Sequence, residues 1–191
     1  MKNIFVIITI CMVLLPLALV IKGDVGDPIH FQTEKDKRVG GPFETSNSTS
    51  RYALVEAIVE HQRLNLDNAQ ARFAAGDIML YDGKLFSIFT PGVAFMAIPF
   101  YIVGKLFNMP QLFAFLSTTI FAFVNFFLVA KLSRKLGAPF YESLVSGFAF
   151  LFATNALSYA LTLTQHHIST MLILLALLNG VSKERTMFAN L

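Results

Sequence analysis

The longest uncharged stretch of the chain constrains its fold more than any other feature. Residues 143–181 contain no Asp, Glu, Lys or Arg. As a single α-helix this stretch would be roughly 60 Å long, which is about twice the hydrocarbon thickness of a bilayer. It is therefore predicted to fold back as two helices. The tip of this helical hairpin is placed at the most polar point of the stretch, residues 162–167.

Charge is scarce over most of the remaining chain as well. Of the 191 residues only 14% are charged and 55% are hydrophobic, whereas a soluble domain carries about 25% charged residues. Further apolar runs cover residues 3–21, 85–104 and 111–130. Because uncharged runs of about 20 residues recur, a soluble protein with one large core is excluded. The pattern predicts an all-α, multi-pass protein of the cell membrane with about five hydrophobic helices.

The distribution of polar residues divides the chain into four segments. Residues 1–21 are predicted to be an uncleaved transmembrane anchor, the alternative being a cleaved signal peptide. Residues 22–84 form a polar loop, and Lys2 in front of the anchor predicts that this loop is extracytoplasmic. Residues 85–182 are predicted to be a membrane helical bundle, and residues 183–191 a short cytoplasmic tail.

The polar loop is predicted to contain one juxtamembrane helix near residues 51–63. Ser50 is the expected N-cap of this helix. Its apolar positions would share one side: Tyr52, Val55, Ile58 and Val59. An amphipathic helix of this kind lies on a membrane surface, or it is an ordinary surface helix of a small extracytoplasmic subdomain. The sequence leaves both alternatives open.

The basic residues give conflicting predictions of orientation. The positive-inside rule places residues 131–135 in the cytoplasm, but an anchor followed by two full spans would place them outside. Either the segment 85–104, which contains Pro91 and Pro99, is re-entrant or interfacial, or the rule fails at the basic connector 131–141. In front of that segment, the pair at residues 82–83 is an Asp-Gly turn signal, expected where the polar loop meets the bilayer.

No short motif identifies a hydrolase, a nucleotide-binding loop or a metal centre. The basic residues are not interleaved with aromatics, so no nucleic-acid partner is predicted. His166 and His167 are adjacent, and on a helix their side chains would point about 100° apart. They are therefore not predicted to share a metal ion.

One carboxylate of the polar loop differs from the others in its surroundings. Glu44 follows Gly40-Gly41-Pro42-Phe43 and precedes a run rich in hydroxyl side chains. A carboxylate in this position can act as a general base on an acceptor hydroxyl group. Most of the other acids of the loop are expected to be solvated surface charges.

Several short stretches together resemble a family of membrane enzymes. The loop and the apolar segment after it contain Ser50-Arg51, Asp77, Asp82-Gly83, Phe86-Ser87, Pro91-Gly92 and Pro99-Phe100, and a second matching stretch covers residues 154–167. In this order the chain resembles the N-terminal part of GT-C integral membrane glycosyltransferases. The resemblance is to the group of the dolichyl-phosphate-mannose mannosyltransferases and the lipid A aminoarabinose transferases.

The resemblance implies transfer of a sugar from a polyprenyl-phosphate donor to an extracytoplasmic acceptor. It implies Glu44 as the catalytic acidic residue, with Arg51 and Lys84 as partners of the donor phosphate. Further residues would line the site: Asp77, Asp82 and His166. No cofactor is implied with certainty, and a divalent metal stays an open alternative.

The expected partners follow from the same resemblance. They are the polyprenyl-phosphate-linked sugar, membrane lipid, and a second chain that would supply the additional helices found in these enzymes. Two departures favour an alternative: no acid precedes Ser50-Arg51 in the run around Ser48, and the sequence ends after the fifth apolar segment. The alternative is a non-catalytic membrane subunit, or a degenerate fragment that keeps the fold without activity.

Overall fold

Most of the chain is helical, and two short strands interrupt the helices. A computed structural model describes residues 2–26, 29, 37–74 and 76–189. In chain order the elements are α1 (Lys2–Val20), α2 (Ser46–His61), α3 (Asn68–Phe73), β1 (Ile78–Tyr81), β2 (Lys84–Ser87), α4 (Gly92–Leu106), α5 (Pro110–Lys135), α6 (Phe140–Phe152), α7 (Ala156–Ala160) and α8 (His166–Ala189).

The chain divides into two compact units. The hairpin unit comprises Ile21–Thr118 and Leu161–Gln165, and the helical unit comprises Met1–Val20, Thr119–Ala160 and His166–Leu191. Helix α5 therefore contributes its first nine residues to the hairpin unit and the rest to the helical unit.

The prediction of an all-α fold is wrong in the hairpin unit. Strands β1 and β2 pair antiparallel, with Tyr81 opposite Lys84. Asp82 and Gly83 connect them at φ angles of 49° and 69°, which is the backbone of a two-residue hairpin turn that favours this Asp-Gly pair. The predicted turn is thus confirmed. The strand after it was missed because its apolar residues continue directly into the next apolar segment.

Helix α2 begins earlier and is more buried than predicted. Its N-cap is Thr45, whose side chain accepts a hydrogen bond from the backbone N–H of Ser48, so the assignment of Ser50 as N-cap is wrong. Every residue from Ser48 to Ala57 is buried. The helix is therefore neither a membrane-surface helix nor an ordinary surface helix, because it is enclosed on all sides over this length.

An aromatic cluster forms the core of the hairpin unit. The ring of Phe43 lies 5.1 Å from Tyr52, 4.9 Å from Phe73 and 5.4 Å from Phe115, each in an edge-to-face arrangement. Such pairs stabilise a core beyond the area they bury, by about 0.5–1.5 kcal/mol each. Tyr101 of α4 extends the cluster at 5.8 Å from Tyr52. The cluster joins the loop before α2 to helices α2, α3, α4 and the start of α5.

The predicted apolar segment 85–104 is divided between two elements. Its first residues belong to β2, and helix α4 begins only at Gly92. The 15 residues of α4 span about 22 Å, short of the roughly 30 Å of bilayer hydrocarbon. Helix α4 is thus shorter than a full membrane span. The break expected at residues 105–110 is confirmed, because α5 begins at Pro110.

The helical unit packs around large side chains of α5 and α6. Its core contains Val13, Leu17, Phe126 and Leu151, all at most 1% exposed. Gly147 of α6 lies so close to α5 that a Cβ atom there would be 2.8 Å from the carbonyl oxygen of Phe126. Only glycine fits at this crossing, because a methyl group would collide with the neighbouring backbone.

The helical unit also corrects several predicted boundaries. Residues 161–165 interrupt the long uncharged stretch as predicted, but three helices, α6, α7 and α8, cover it instead of two. Helix α5 continues through the residues assigned to the basic connector, as far as Lys135. The predicted tail from residue 183 is helical up to Ala189, where α8 ends, and residues 190–191 lie outside the described part.

One helix in the described part, α5, is long and apolar enough to cross a membrane. The other apolar helices are shorter and cover residues 4–20, 92–106, 140–152 and 166–181.

Candidate functional site

Glu44 is presented at the surface by a turn that is anchored in the core. Phe43 is 2% exposed and occupies the centre of the aromatic cluster, whereas Glu44 is exposed. The carboxylate oxygen Oε2 of Glu44 accepts a hydrogen bond of 2.9 Å from the backbone N–H of Gly40. Gly40 has a φ angle of 80°, a conformation that favours glycine. The turn therefore holds an accessible carboxylate just before the N-terminus of α2.

Arg51 lies within the hairpin unit rather than at its surface, with only 3% of the residue exposed. Its Nη1 donates to Oδ1 of Asn47 at 2.7 Å and to the carbonyl oxygen of Leu163 at 3.1 Å. Its Nη2 donates to Oε1 of Gln165 at 2.7 Å, and the guanidinium carbon lies 4.1 Å from the ring centre of Phe89. Neutral groups thus hold this cation and connect α2 to residues 161–165.

Asp77 is the acid whose charge acts on Arg51. Burial lowers the pKa of the Arg51 guanidinium, and the negative charge of Asp77 opposes this shift. The backbone of Asp77 is held near α2, because Ser50 Oγ donates to its carbonyl oxygen at 2.9 Å. Ser50 Oγ also lies 2.7 Å from Ser87 Oγ. Ser50 therefore attaches the β-hairpin to this helix.

The other predicted site residues lie apart from this arrangement. Lys84 and Asp82 are exposed on the β-hairpin, at the start of β2 and in the turn. His166 belongs to the helical unit, where it is exposed and its ring centre lies 3.9 Å from that of Tyr159. Of the six predicted residues, Arg51 and Asp77 interact through their charges. Within the described part of the chain, no contact is recorded that joins Glu44, Lys84, Asp82 or His166 to one another.

The two adjacent histidines have different environments. His167 is 2% exposed, and its Nε2 donates to the carbonyl oxygen of Ala156 at 2.8 Å. Its Nδ1 then accepts from Nδ2 of Asn125 at 3.2 Å, and the same amide donates to the His167 carbonyl oxygen at 2.8 Å. His167 thus fastens α8 to α5 and α7. Among the described residues, no three His, Cys, Asp or Glu side chains are grouped as metal ligands would be.

A polar cavity that the sequence did not predict lies elsewhere in the hairpin unit. It has a volume of about 340 Å³, and its walls include Glu56, Glu60, His61, Tyr101 and Lys105. Volumes of this order are typical of sites for small molecules. Glu56 is an exception to the expectation that most acids of the loop are solvated, because the residue is only 2% exposed.

Hydrogen bonds and ion pairs order the side chains of this cavity. Gln70 donates from Nε2 to the buried Glu56 carboxylate, and the His61 ring approaches the same carboxylate at 4.0 Å. Lys105 Nζ lies 2.7 Å from Glu60 Oε2, and the Tyr101 hydroxyl donates to Glu60 Oε1 at 3.2 Å. The sequence does contain a signal for this cavity: the two glutamates are four residues apart, which places both on one side of a helix.

Comparisons with known proteins add no relative to this description. No protein-family model, no curated protein and no solved structure matches the chain.

Proposed function

We propose that the chain is a membrane glycosyltransferase, or the N-terminal portion of one, that transfers a sugar from a polyprenyl-phosphate donor to an extracytoplasmic acceptor. It would be a multi-pass protein of the cell membrane. The observation that carries the proposal is the geometry of Glu44, whose carboxylate is exposed while the preceding Phe43 is fixed in the core. A general base must be both accessible and held in place, and this turn satisfies both requirements.

In the proposed reaction, Glu44 takes the proton and polyprenyl phosphate is the leaving group. The Glu44 carboxylate accepts the proton of the acceptor hydroxyl while the hydroxyl oxygen attacks the anomeric carbon of the sugar. The bond between this carbon and the phosphate oxygen breaks, and polyprenyl phosphate leaves with the bonding electrons. The exposed ammonium group of Lys84 is the proposed counter-charge for the phosphate, because it is accessible from solvent.

Arg51 takes a different part in this proposal from the one that the resemblance implies. Three donated hydrogen bonds already engage its guanidinium, so it is assigned as a positioning residue for the segment that carries Leu163 and Gln165. The cavity bounded by Glu56 and Glu60 offers carboxylate, hydroxyl and ammonium groups. Neither Glu44 nor Lys84 is among the described residues that line it, so the cavity takes no part in the proposed reaction.

A second candidate function is a non-catalytic subunit that requires a partner chain for activity. The engagement of Arg51 by neutral groups favours it, because this cation then serves the fold and not a substrate phosphate. The two candidates differ in a measurable way. A catalytic chain loses transfer when Glu44 is changed, whereas a purely structural subunit loses transfer only when it is absent from the membrane.

The deciding experiment compares membranes from cells that express the wild-type chain, Glu44→Gln or Glu142→Gln. Each is incubated with a panel of polyprenyl-phosphate sugars that carry a radiolabel in the sugar, and the label passed to endogenous acceptors is counted. Glu142 is an exposed carboxylate in the first turn of α6 and serves as the matched control.

The catalytic proposal expects Glu44→Gln to lower transfer by about 100-fold or more, with Glu142→Gln at the wild-type rate. Equal transfer by all three chains, at equal amounts in the membrane, would exclude Glu44 as the base. If that transfer still disappears when the chain is deleted, the non-catalytic alternative is the correct one.

A further inference from the structure

A second cavity, in the helical unit, combines an apolar wall with a cluster of cations. Its volume is about 500 Å³, and it is lined by residues of α1, α5 and α6. The apolar wall consists of Val6, Phe127, Phe140 and Leu144. The hydroxyl group of the buried Ser143 also lines the cavity, but it donates to the carbonyl oxygen of Phe140 at 2.6 Å.

Three cations of α5 line the same cavity: Lys131, Arg134 and Lys135. They are spaced by three and four residues, so they share one side of the last turns of the helix. The guanidinium carbon of Arg134 lies 5.3 Å from the ring centre of Phe140, and Lys135 Nζ donates to the Leu178 carbonyl oxygen at 3.5 Å. No Asp or Glu is recorded among the residues that line the cavity.

The negative end of a helix explains part of this cluster but not all of it. Cations in the last turn of a helix are favoured by its dipole, which accounts for Arg134 and Lys135. The dipole does not explain why the cations border an open cavity with an apolar wall. A free phosphate ion would contact the cations but leave the apolar wall in water, and a neutral lipid would cover the wall but bring no anionic group to Lys131 and Arg134.

We propose that this cavity binds the phosphate headgroup of an anionic bilayer phospholipid. The phosphate lies between Lys131 and Arg134, and the first part of an acyl chain lies against Phe127 and Leu144. Basic pockets between helices bind anionic headgroups by this combination of charge and apolar contact. With residues 85–104 re-entrant or interfacial, the positive-inside rule and the N-terminal anchor both place this basic segment at the cytoplasmic leaflet, which is the leaflet that carries anionic phospholipid.

The test uses the full chain in nanodiscs that contain a trace of phospholipid with a photoreactive group in the acyl chain. Labelling by phosphatidylglycerol is compared with labelling by phosphatidylcholine, and the labelled peptides are identified by mass spectrometry. The proposal expects phosphatidylglycerol to label residues 6–9 and 127–144 preferentially, and expects the preference to decline as salt is raised. Unlabelled polyprenyl phosphate is added in a parallel arm as a competitor.

Variants test whether the cations are responsible. One cation contributes about fivefold to such binding, so Arg134→Gln is expected to lower the labelling by about fivefold and the double variant Lys131→Gln/Arg134→Gln by about 25-fold. Arg134→Lys, which keeps the charge, should retain most of it. Arg72→Gln removes an exposed cation from the hairpin unit and should have no effect.

Three results would overturn the proposal. The first is equal labelling by the charged and the neutral phospholipid, and the second is labelling that maps outside residues 6–9 and 127–144, the segments that line the cavity. The third is displacement by polyprenyl phosphate at concentrations at which phosphatidylglycerol does not compete, which would assign the cavity to an isoprenoid lipid.

Discussion

Replacement of Arg51 by methionine tests how the hairpin unit is held together. Arg51 donates three hydrogen bonds, one to Asn47 and two to the segment 161–165. Hydrogen bonds from a charged donor contribute about 1.5–3 kcal/mol each. Removal of a buried cation also removes a desolvation cost of several kcal/mol, which offsets part of the loss. We expect Arg51→Met to lower the free energy that holds residues 161–165 in place by about 3 kcal/mol.

Hydrogen exchange measured by mass spectrometry reports this loss locally. A loss of about 3 kcal/mol corresponds to roughly 100-fold faster exchange of amides protected by local opening. The informative amide is that of Leu163, which donates to Ser48 Oγ at 3.4 Å. Arg51→Lys should be intermediate, because a lysine keeps the charge but cannot supply the two parallel donor atoms.

An exposed arginine of the same unit, Arg72, provides the control for Arg51. Arg72→Met removes a cation that is exposed, so it should change stability by no more than about 0.5 kcal/mol. If peptides covering residues 161–165 exchange less than about threefold faster in Arg51→Met than in the wild type, the guanidinium does not fasten that segment. The reasoning from its hydrogen bonds would then be wrong.

Three further predictions address packing, pH and orientation. A Cβ atom at Gly104 would lie 2.7 Å from the carbonyl oxygen of Met109, so Gly104→Ala should lower the denaturation midpoint by the equivalent of about 1–3 kcal/mol. The control is Gly92→Ala, where a Cβ atom would meet nothing within 4 Å beyond its chain neighbours and its own helix, so the midpoint should be unchanged. Equal midpoints for the two variants would contradict the packing. Burial raises the pKa of Asp67, but hydrogen bonds from the backbone of residues 69 and 70 and from the side chain of residue 63 lower it by more. The net pKa is therefore below the ordinary value of 3.8. The charge of Asp67 therefore stabilises the fold above about pH 4 and ceases to do so as the pH falls through the lowered pKa. The thermal midpoint of the wild type should exceed that of Asp67→Asn at neutral pH, and this difference should shrink below pH 4. A difference that grows below pH 4 would refute the direction of the shift. Cysteine placed at Ser133, in a chain without the native cysteine, should not react with an impermeant reagent from outside the cell, and labelling there would exclude the re-entrant interpretation of residues 85–104.

Structural features that depend only on residues adjacent in the sequence were predictable. The Asp82-Gly83 turn, the break before Pro110 and the interruption at residues 161–165 each follow from local composition, and each is present in the structure. The pairing of β2 was not predictable in this way, because its apolar residues are equally compatible with the start of a membrane helix.

The features missed by the sequence arise from distant parts of the chain. Helix α2 packs through Tyr52 against Phe43 and Phe73, which come from outside the helix, and Arg51 is buried because residues 161–165 cover it. Periodicity within α2 carries no information about either contact. The burial of Glu56 was missed for the same reason. Its sequence neighbours predict an exposed carboxylate, and its hydrogen bond from Gln70 is visible only in the fold.

Photo-crosslinking with a polyprenyl phosphate tests the central proposal most directly. The full chain in nanodiscs is irradiated with a probe whose photoreactive group is next to the phosphate, with excess unlabelled polyprenyl phosphate or phosphatidylglycerol as competitor. The account predicts crosslinks within residues 40–89, near Glu44 and Lys84, that only the polyprenyl phosphate displaces. Crosslinks absent from this range, or displaced equally by phosphatidylglycerol, would contradict the assignment of the hairpin unit to a lipid-linked sugar.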